Sequence, residues 1–207
     1  MRWQNRRESS NVEDRRGVSG RTIAAGGGIG GIVLIVLYLL LGGNLGENVP
    51  DLQLSTDAGS PGESRPLTAE EQEAGRFVSV ILADTEDVWN TLFSAQGRTY
   101  VEPTLVLFTD LTDSGCGTAQ AATGPFYCPG DQKVYIDLGF FAEMQRKLNA
   151  PGDFAQAYVI AHEIGHHVQN QLGIMEQVMP LRNQMSEQEY NALTVRLELQ
   201  ADFLAGV

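Results

Sequence analysis

Hydrophobic and polar positions divide this chain into an unbroken apolar run, a polar stretch and a patterned remainder. The run is "TIAAGGGIGGIVLIVLYLLLGG", residues 22–43, with no charge and no polar face. Its length suits a single transmembrane helix, which takes roughly 20 residues. Ile32–Leu41 followed by Gly42 and Gly43 also suits a cleaved signal peptide, but the uncharged run reaches back to Thr22 and favours an uncleaved anchor. Residues 44–67 are rich in Gly, Pro, Ser and acids and lack apolar periodicity, the composition of a solvated linker.

From Thr68 the pattern becomes periodic. "TAEE" predicts a capping box, with Thr68 as N-cap and Glu71 reaching back, and a helix to about Ser94 carrying Phe77, Ile81, Val88 and Leu92 at helical spacing. "TLVLFT" (104–109) and "KVYID" (133–137) predict strands. The second could be an interior strand or a sheet edge open to an extended peptide. "LGFFAEMQRKLN" predicts a short helix ended by "APG" at 150–152. Asp153 with Gln156 suggests a further capping box. The helix it opens carries a stripe of Phe154, Ala157, Ala161, Ile164, Val168 and Leu172, and Gly173 ends it. A loop with Met179 and Pro180 follows. "SEQE", with Ser186 capping and Glu189 answering, opens a last helix. Together these elements predict an α+β domain over 68–207, helix-rich with a small sheet.

Charge sharpens this layout. The net charge of −12 argues against nucleic-acid binding, which needs clustered Lys and Arg. Residues 1–21 are the exception, with six Arg against three acids. By the positive-inside rule they belong in the cytoplasm, as an N-terminal segment ahead of the anchor, and 68–207 belong outside it. Outside the cytoplasm, Cys116 and Cys128 read as a disulfide closing a short loop, worth about 3 kcal/mol in the chain-entropy model.

The candidate chemistry is concentrated in "VIAHEIGHHVQNQ", residues 159–171, which holds all three histidines. His162 and His166 are four apart, so on a helix both imidazoles share one face and can bind one Zn²⁺. Glu163 between them can take the proton of a water acidified by that ion. A catalytic zinc needs a third protein ligand. The HExxHxxGxxH pattern fails, because Gln169 and Leu172 fill its later positions. The candidates are His167, a cysteine or a carboxylate. His167 lies about 100° round the helix from His166 and suits a supporting or solvated position better. Glu198 in "RLELQADFLAG" is the better candidate. Asp202, one turn later, can accept the outward N–H of a ligating histidine. Gly165, Ala201 and Ala205 are small enough for the two helices to approach closely.

With these residues in hand, the chain resembles the bacterial "putative neutral zinc metallopeptidase" family of membrane-anchored proteins. The likeness covers nearly the whole chain: "MRWQNRRESSNVEDRRG", the Gly-rich apolar run, "GPFYCPGDQKVYIDLGFF", "AYVIAHEIGHHVQNQLG" and "ELQADFLAG". It implies a zincin-like fold with His162, His166 and Glu198 as ligands, Glu163 as catalytic acid/base, and a peptide or protein substrate. Family members continue beyond "ADFLAG", so a domain incomplete at its C-terminus is expected. Two other function classes compete. One is a zinc-binding scaffold without activity, which would have no use for Glu163. The other is a deformylase-like zinc amidase with a cysteine ligand, which a Cys116–Cys128 disulfide would exclude.

Overall fold

The computed structural model describes residues 1–17, 66–120, 124–141, 144 and 152–207. The apolar run 22–43, nearly all of the linker 44–67 and most of the helix expected over 138–149 lie outside these residues. Among the described residues no helix is long and apolar enough to cross a membrane, so the expected transmembrane helix gains no support here.

Helix α1 (Ala69–Ala95) starts as its sequence predicts. The Thr68 hydroxyl accepts the Glu71 N–H at 3.2 Å, and the Glu71 carboxylate accepts the Thr68 N–H at 2.8 Å. Its buried face carries Phe77, Val78, Ile81, Leu82, Trp89 and Phe93, whereas Val88 stays exposed. The main sheet consists of β1 (Val12–Asp14), β2 (Thr104–Phe108), β5 (Phe126–Cys128) and β6 (Lys133–Asp137), in the order β1-β2-β6-β5. The first three strands in that order run parallel and β5 is antiparallel. Between β2 and β5 lies a separate hairpin, β3 (Leu111–Ser114) with β4 (Gly117–Gln120). One face of β2 and β6, with Leu105, Leu107, Val134 and Ile136, joins the main core with α1. The other face buries Val106, Phe108 and Tyr135 with Cys128.

Strand 133–137 pairs on both sides, with 104–108 and with 126–128, so it is interior and cannot be the edge that receives a peptide. The antiparallel edge is β5 instead.

Helix α2 (Asp153–Gln171) carries the histidines. Its N-cap is Gly152, with no side-chain cap, so the expected Asp153–Gln156 capping box is absent. Asp153 is already helical and meets the Met1 ammonium at 3.4 Å. Ile160, Ile164 and Val168 face the core, while Phe154 is 76% exposed and does not continue the buried stripe. Gly173 takes φ +76 and ends the helix as predicted. The expected loop around Met179 is a short helix α3 (Ile174–Val178) and a 3₁₀ turn (Met179–Asn183). Helix α4 (Glu187–Ala205) opens with the predicted Ser186–Glu189 box.

The N-terminal residues depart from the sequence reading. Met1–Arg15 and Leu67–Val207 form one compact unit, so 1–21 is not a segment standing apart from the domain. Val12–Asp14 pair with Leu105–Leu107. Trp3 is buried edge-on against Phe77, with ring centroids 5.4 Å apart. Buried Glu86 accepts hydrogen bonds from Ser9 (2.5 Å), Asn11 (2.9 Å) and Arg7 (3.0 Å). Arg side chains here satisfy carboxylates of the domain, a use that net charge alone could not reveal.

Candidate metal centre

Two helices build the site. On α2 the four-residue spacing stacks His162 and His166 on one face, their rings perpendicular with centroids 4.8 Å apart. Helix α4 crosses α2 where both backbones are bare. A Cβ on Gly165 would stand 2.9 Å from the Ala201 carbonyl oxygen and 3.1 Å from its Cα. That approach, expected from the small residues, brings Glu198 over the histidines. Glu198 Oε2 lies 3.2 Å from His162 Nε2 and 3.5 Å from His166 Nε2.

These spacings test whether a zinc ion fits. Ligands about 2.0–2.1 Å from a tetrahedral ion stand about 3.3–3.4 Å from each other. The two measured spacings bracket that value, and two imidazole nitrogens with one carboxylate oxygen are the donor set of many catalytic zinc sites. The residues present therefore fit the ion.

The outward nitrogens are held as well. His162 Nδ1–H donates to Asp202 Oδ1 at 2.9 Å, the partnership predicted from the Glu198–Asp202 spacing. The Tyr158 hydroxyl donates to the same oxygen at 2.5 Å. Its hydrogen bond, with that of His162, keeps the Asp202 carboxyl below its ordinary value. His166 Nδ1–H donates to Gln169 Oε1 at 2.9 Å. Tyr158 and Gln169 were not singled out from sequence. Tyr158 could have been, since it lies one turn before His162 on the same face. Gln169 reveals itself only through its tertiary partners.

Glu163 is buried beside the ligands, and the backbone N–H of Tyr127 on β5 hydrogen-bonds its carboxylate. Burial pushes its carboxyl up to about 7. Glu198 adds to the rise, while His166 and the Tyr127 N–H oppose it. A cation between the ligands pulls that value down.

His167 is fully buried away from this face. Its Nε2–H donates to the Val101 carbonyl at 2.7 Å, and its Nδ1 faces the Tyr127 hydroxyl at 3.1 Å. Burial lowers its pKa. It is a core residue, neither ligand nor solvated. Cys116 and Cys128 form the expected disulfide, which removes a cysteine ligand and the deformylase-like alternative with it.

The histidine face opens into a cleft of about 310 Å³, bounded by Gly124, Pro125, Phe140, Tyr158 and Val159 beside His162, Glu163 and Asp202. A larger hollow of about 450 Å³ shares Tyr158 but is lined mainly by apolar groups such as Val88, Phe154 and Leu204, and by no histidine. Its size does not make it the reactive site.

Comparison with known proteins agrees with this geometry. Residues 1–207 match the family described as "Putative neutral zinc metallopeptidase". The chain is 48% identical to the uncharacterized protein YpfJ of Escherichia coli K12, over all of this chain and 74% of that protein. It is 38% identical to the uncharacterized protein Mb2605 of Mycobacterium bovis, over 82% of this chain and 57% of that protein. No solved structure matches it. A match spanning the whole chain, joined to a His-His-Glu cluster of zinc dimensions, places this protein in the neutral zinc metallopeptidase family so described.

Proposed function

We propose that this protein is a zinc-dependent peptidase with a zincin-type site. His162, His166 and Glu198 hold the ion, and Glu163 is the general base. The observation that carries this assignment is the position of Glu198 Oε2, 3.2 and 3.5 Å from the two imidazole nitrogens, with Glu163 beside them at the cleft. When bound, zinc supplies a Lewis acid that brings the pKa of water toward 7 and polarises a carbonyl.

The chain's own residues do the rest. Glu163 takes the proton of the attacking water and returns it to the leaving nitrogen. The Tyr127 N–H orients its carboxylate for both transfers. Asp202 and Gln169 hold the histidine rings so that each Nε2 faces the ion. An extended peptide or protein segment lies along the free edge of β5, whose central residue already touches Glu163.

The disulfide supports an oxidising compartment for the domain. Attachment to the cell membrane through 22–43 completes the proposal. Metal analysis of the purified protein tests the ligand set. One zinc per chain is expected, lost in His162→Ala or His166→Ala and weakened in Glu198→Ala. Undiminished zinc in the Glu198 variant would move the third ligand elsewhere.

A further inference from the structure

We infer that Gln169 is a positioning residue that fixes the proton of His166 and ties it to the helix carrying Glu198. The inference rests on the zinc site proposed above. Gln169 is fully buried, so its amide needs partners inside the protein. Its Oε1 accepts from His166 Nδ1–H at 2.9 Å. Its Nε2 donates to the Leu197 carbonyl at 2.7 Å and to Gln200 Oε1 at 3.0 Å.

The orientation of this amide is not arbitrary. The Leu197 carbonyl can only accept, so the NH₂ end must face α4 and the oxygen must face His166. A carbonyl oxygen facing Nδ1 requires the proton there. The lone pair of Nε2 is then free on the side of Glu198. Leu197 immediately precedes Glu198, so one side chain couples the second ligand to the backbone that delivers the third. Position 169 is also where the HExxHxxGxxH pattern has glycine. Here a glutamine continues α2 to Gln171 and reaches across to α4.

The test reads the imidazole directly. Long-range nitrogen–proton NMR on the metal-free protein at alkaline pH, where imidazoles are neutral, should show His166 protonated on Nδ1. In Gln169→Met, of similar size but without the amide, that preference should be lost while the His162 signals stay. Zinc affinity, measured by chelator competition, should fall about 10–100-fold. His166 protonated on Nε2 in the parent would overturn the inference without any variant. So would parental zinc affinity in a folded Gln169→Met protein. Failure of the parent to bind zinc at all would instead sink the zinc site, and the NMR result would still judge Gln169.

A second inference stands on separate observations. The structure assigns residues 1–15 to the same side of any membrane as residues 67–207. Strand β1 hydrogen-bonds to β2, with Leu105 N–H donating to Asn11 at 2.8 Å and Arg15 N–H donating to Leu107 at 2.8 Å. Glu86 is 2% exposed, and Arg7, Ser9 and Asn11 supply its partners. Removing them would leave a buried carboxylate without compensation. The N-terminus therefore cannot stay in the cytoplasm while the folded domain lies outside it. Epitope tags before Met1 and after Val207, probed by protease in intact spheroplasts, should be digested together or protected together. Digestion of one tag with protection of the other would overturn the inference.

Discussion

Gly165→Ala is a small substitution with a large expected effect, because it acts where two helix backbones touch. In an isolated helix the change should stabilise by about 1 kcal/mol. Here the new Cβ would meet the Ala201 carbonyl oxygen at 2.9 Å, where ordinary contact begins at 3.4 Å. Helix α4 must retreat by about 0.5 Å. Overpacking of this kind costs about 1–3 kcal/mol, so the propensity gain is cancelled or reversed and the metal-free protein should lose about 0–2 kcal/mol. The effect on metal should be larger. Ligand distances tolerate about ±0.2 Å, and Glu198 sits less than one turn from the contact. Zinc affinity should fall at least about tenfold, or about 1.4 kcal/mol. Ala201→Gly should not rescue it, because the atoms met are backbone. Urea denaturation of the metal-free protein and chelator competition measure the two quantities separately. A Gly165→Ala protein about 1 kcal/mol more stable than its parent, with unchanged zinc affinity, would refute the close approach.

Three further outcomes are expected. Arg15, and after it Lys133, hold the Glu13 carboxyl at about 2, against an ordinary 4.5. A depressed folded-state value gives stability that is present above pH 4.5 and lost as pH falls toward 2. Glu13→Gln should therefore lose less stability than the parent across that window, and parallel loss in urea titrations would contradict the contact. Trp3→Ala should cost about 3–5 kcal/mol, as for a buried aromatic; a cost within about 0.5 kcal/mol, typical of surface changes, would show the N-terminal arm to be peripheral. Replacing Cys116 and Cys128 by Ser should lower unfolding stability by about 3 kcal/mol, and equal stability would show that the closed loop adds nothing.

What could be read from sequence had local causes. His162–His166 and Glu198–Asp202 are spaced so that helix geometry alone puts each pair on one face. The boxes at Thr68 and Ser186 are closed within four residues. Gly165 and Ala201 pointed to close packing through their size. What could not be read depended on distant partners. The three residues of β1, "VED", carry no strand periodicity, and their partner β2 is about ninety residues away. The arginines before them invited a topological interpretation, whereas Arg7 is used on Glu86 and Arg15 on Glu13. Strand 133–137 looked equally suited to edge or interior until the short β5 was seen to cover it. Gln169 and His167 are buried polar groups, and only the residues across from them separate their roles.

The central claim is that Glu163 moves the proton while His162, His166 and Glu198 hold the metal. Zinc content and peptide hydrolysis, measured side by side for the parent and Glu163→Gln, test it most directly. The substitution keeps size and hydrogen-bonding shape while removing the base. Both proteins should carry one zinc per chain, and hydrolysis should fall by about 10²–10⁴-fold in the variant. Undiminished hydrolysis with zinc retained would contradict the account, and loss of zinc in the variant would make Glu163 part of the metal-holding structure instead.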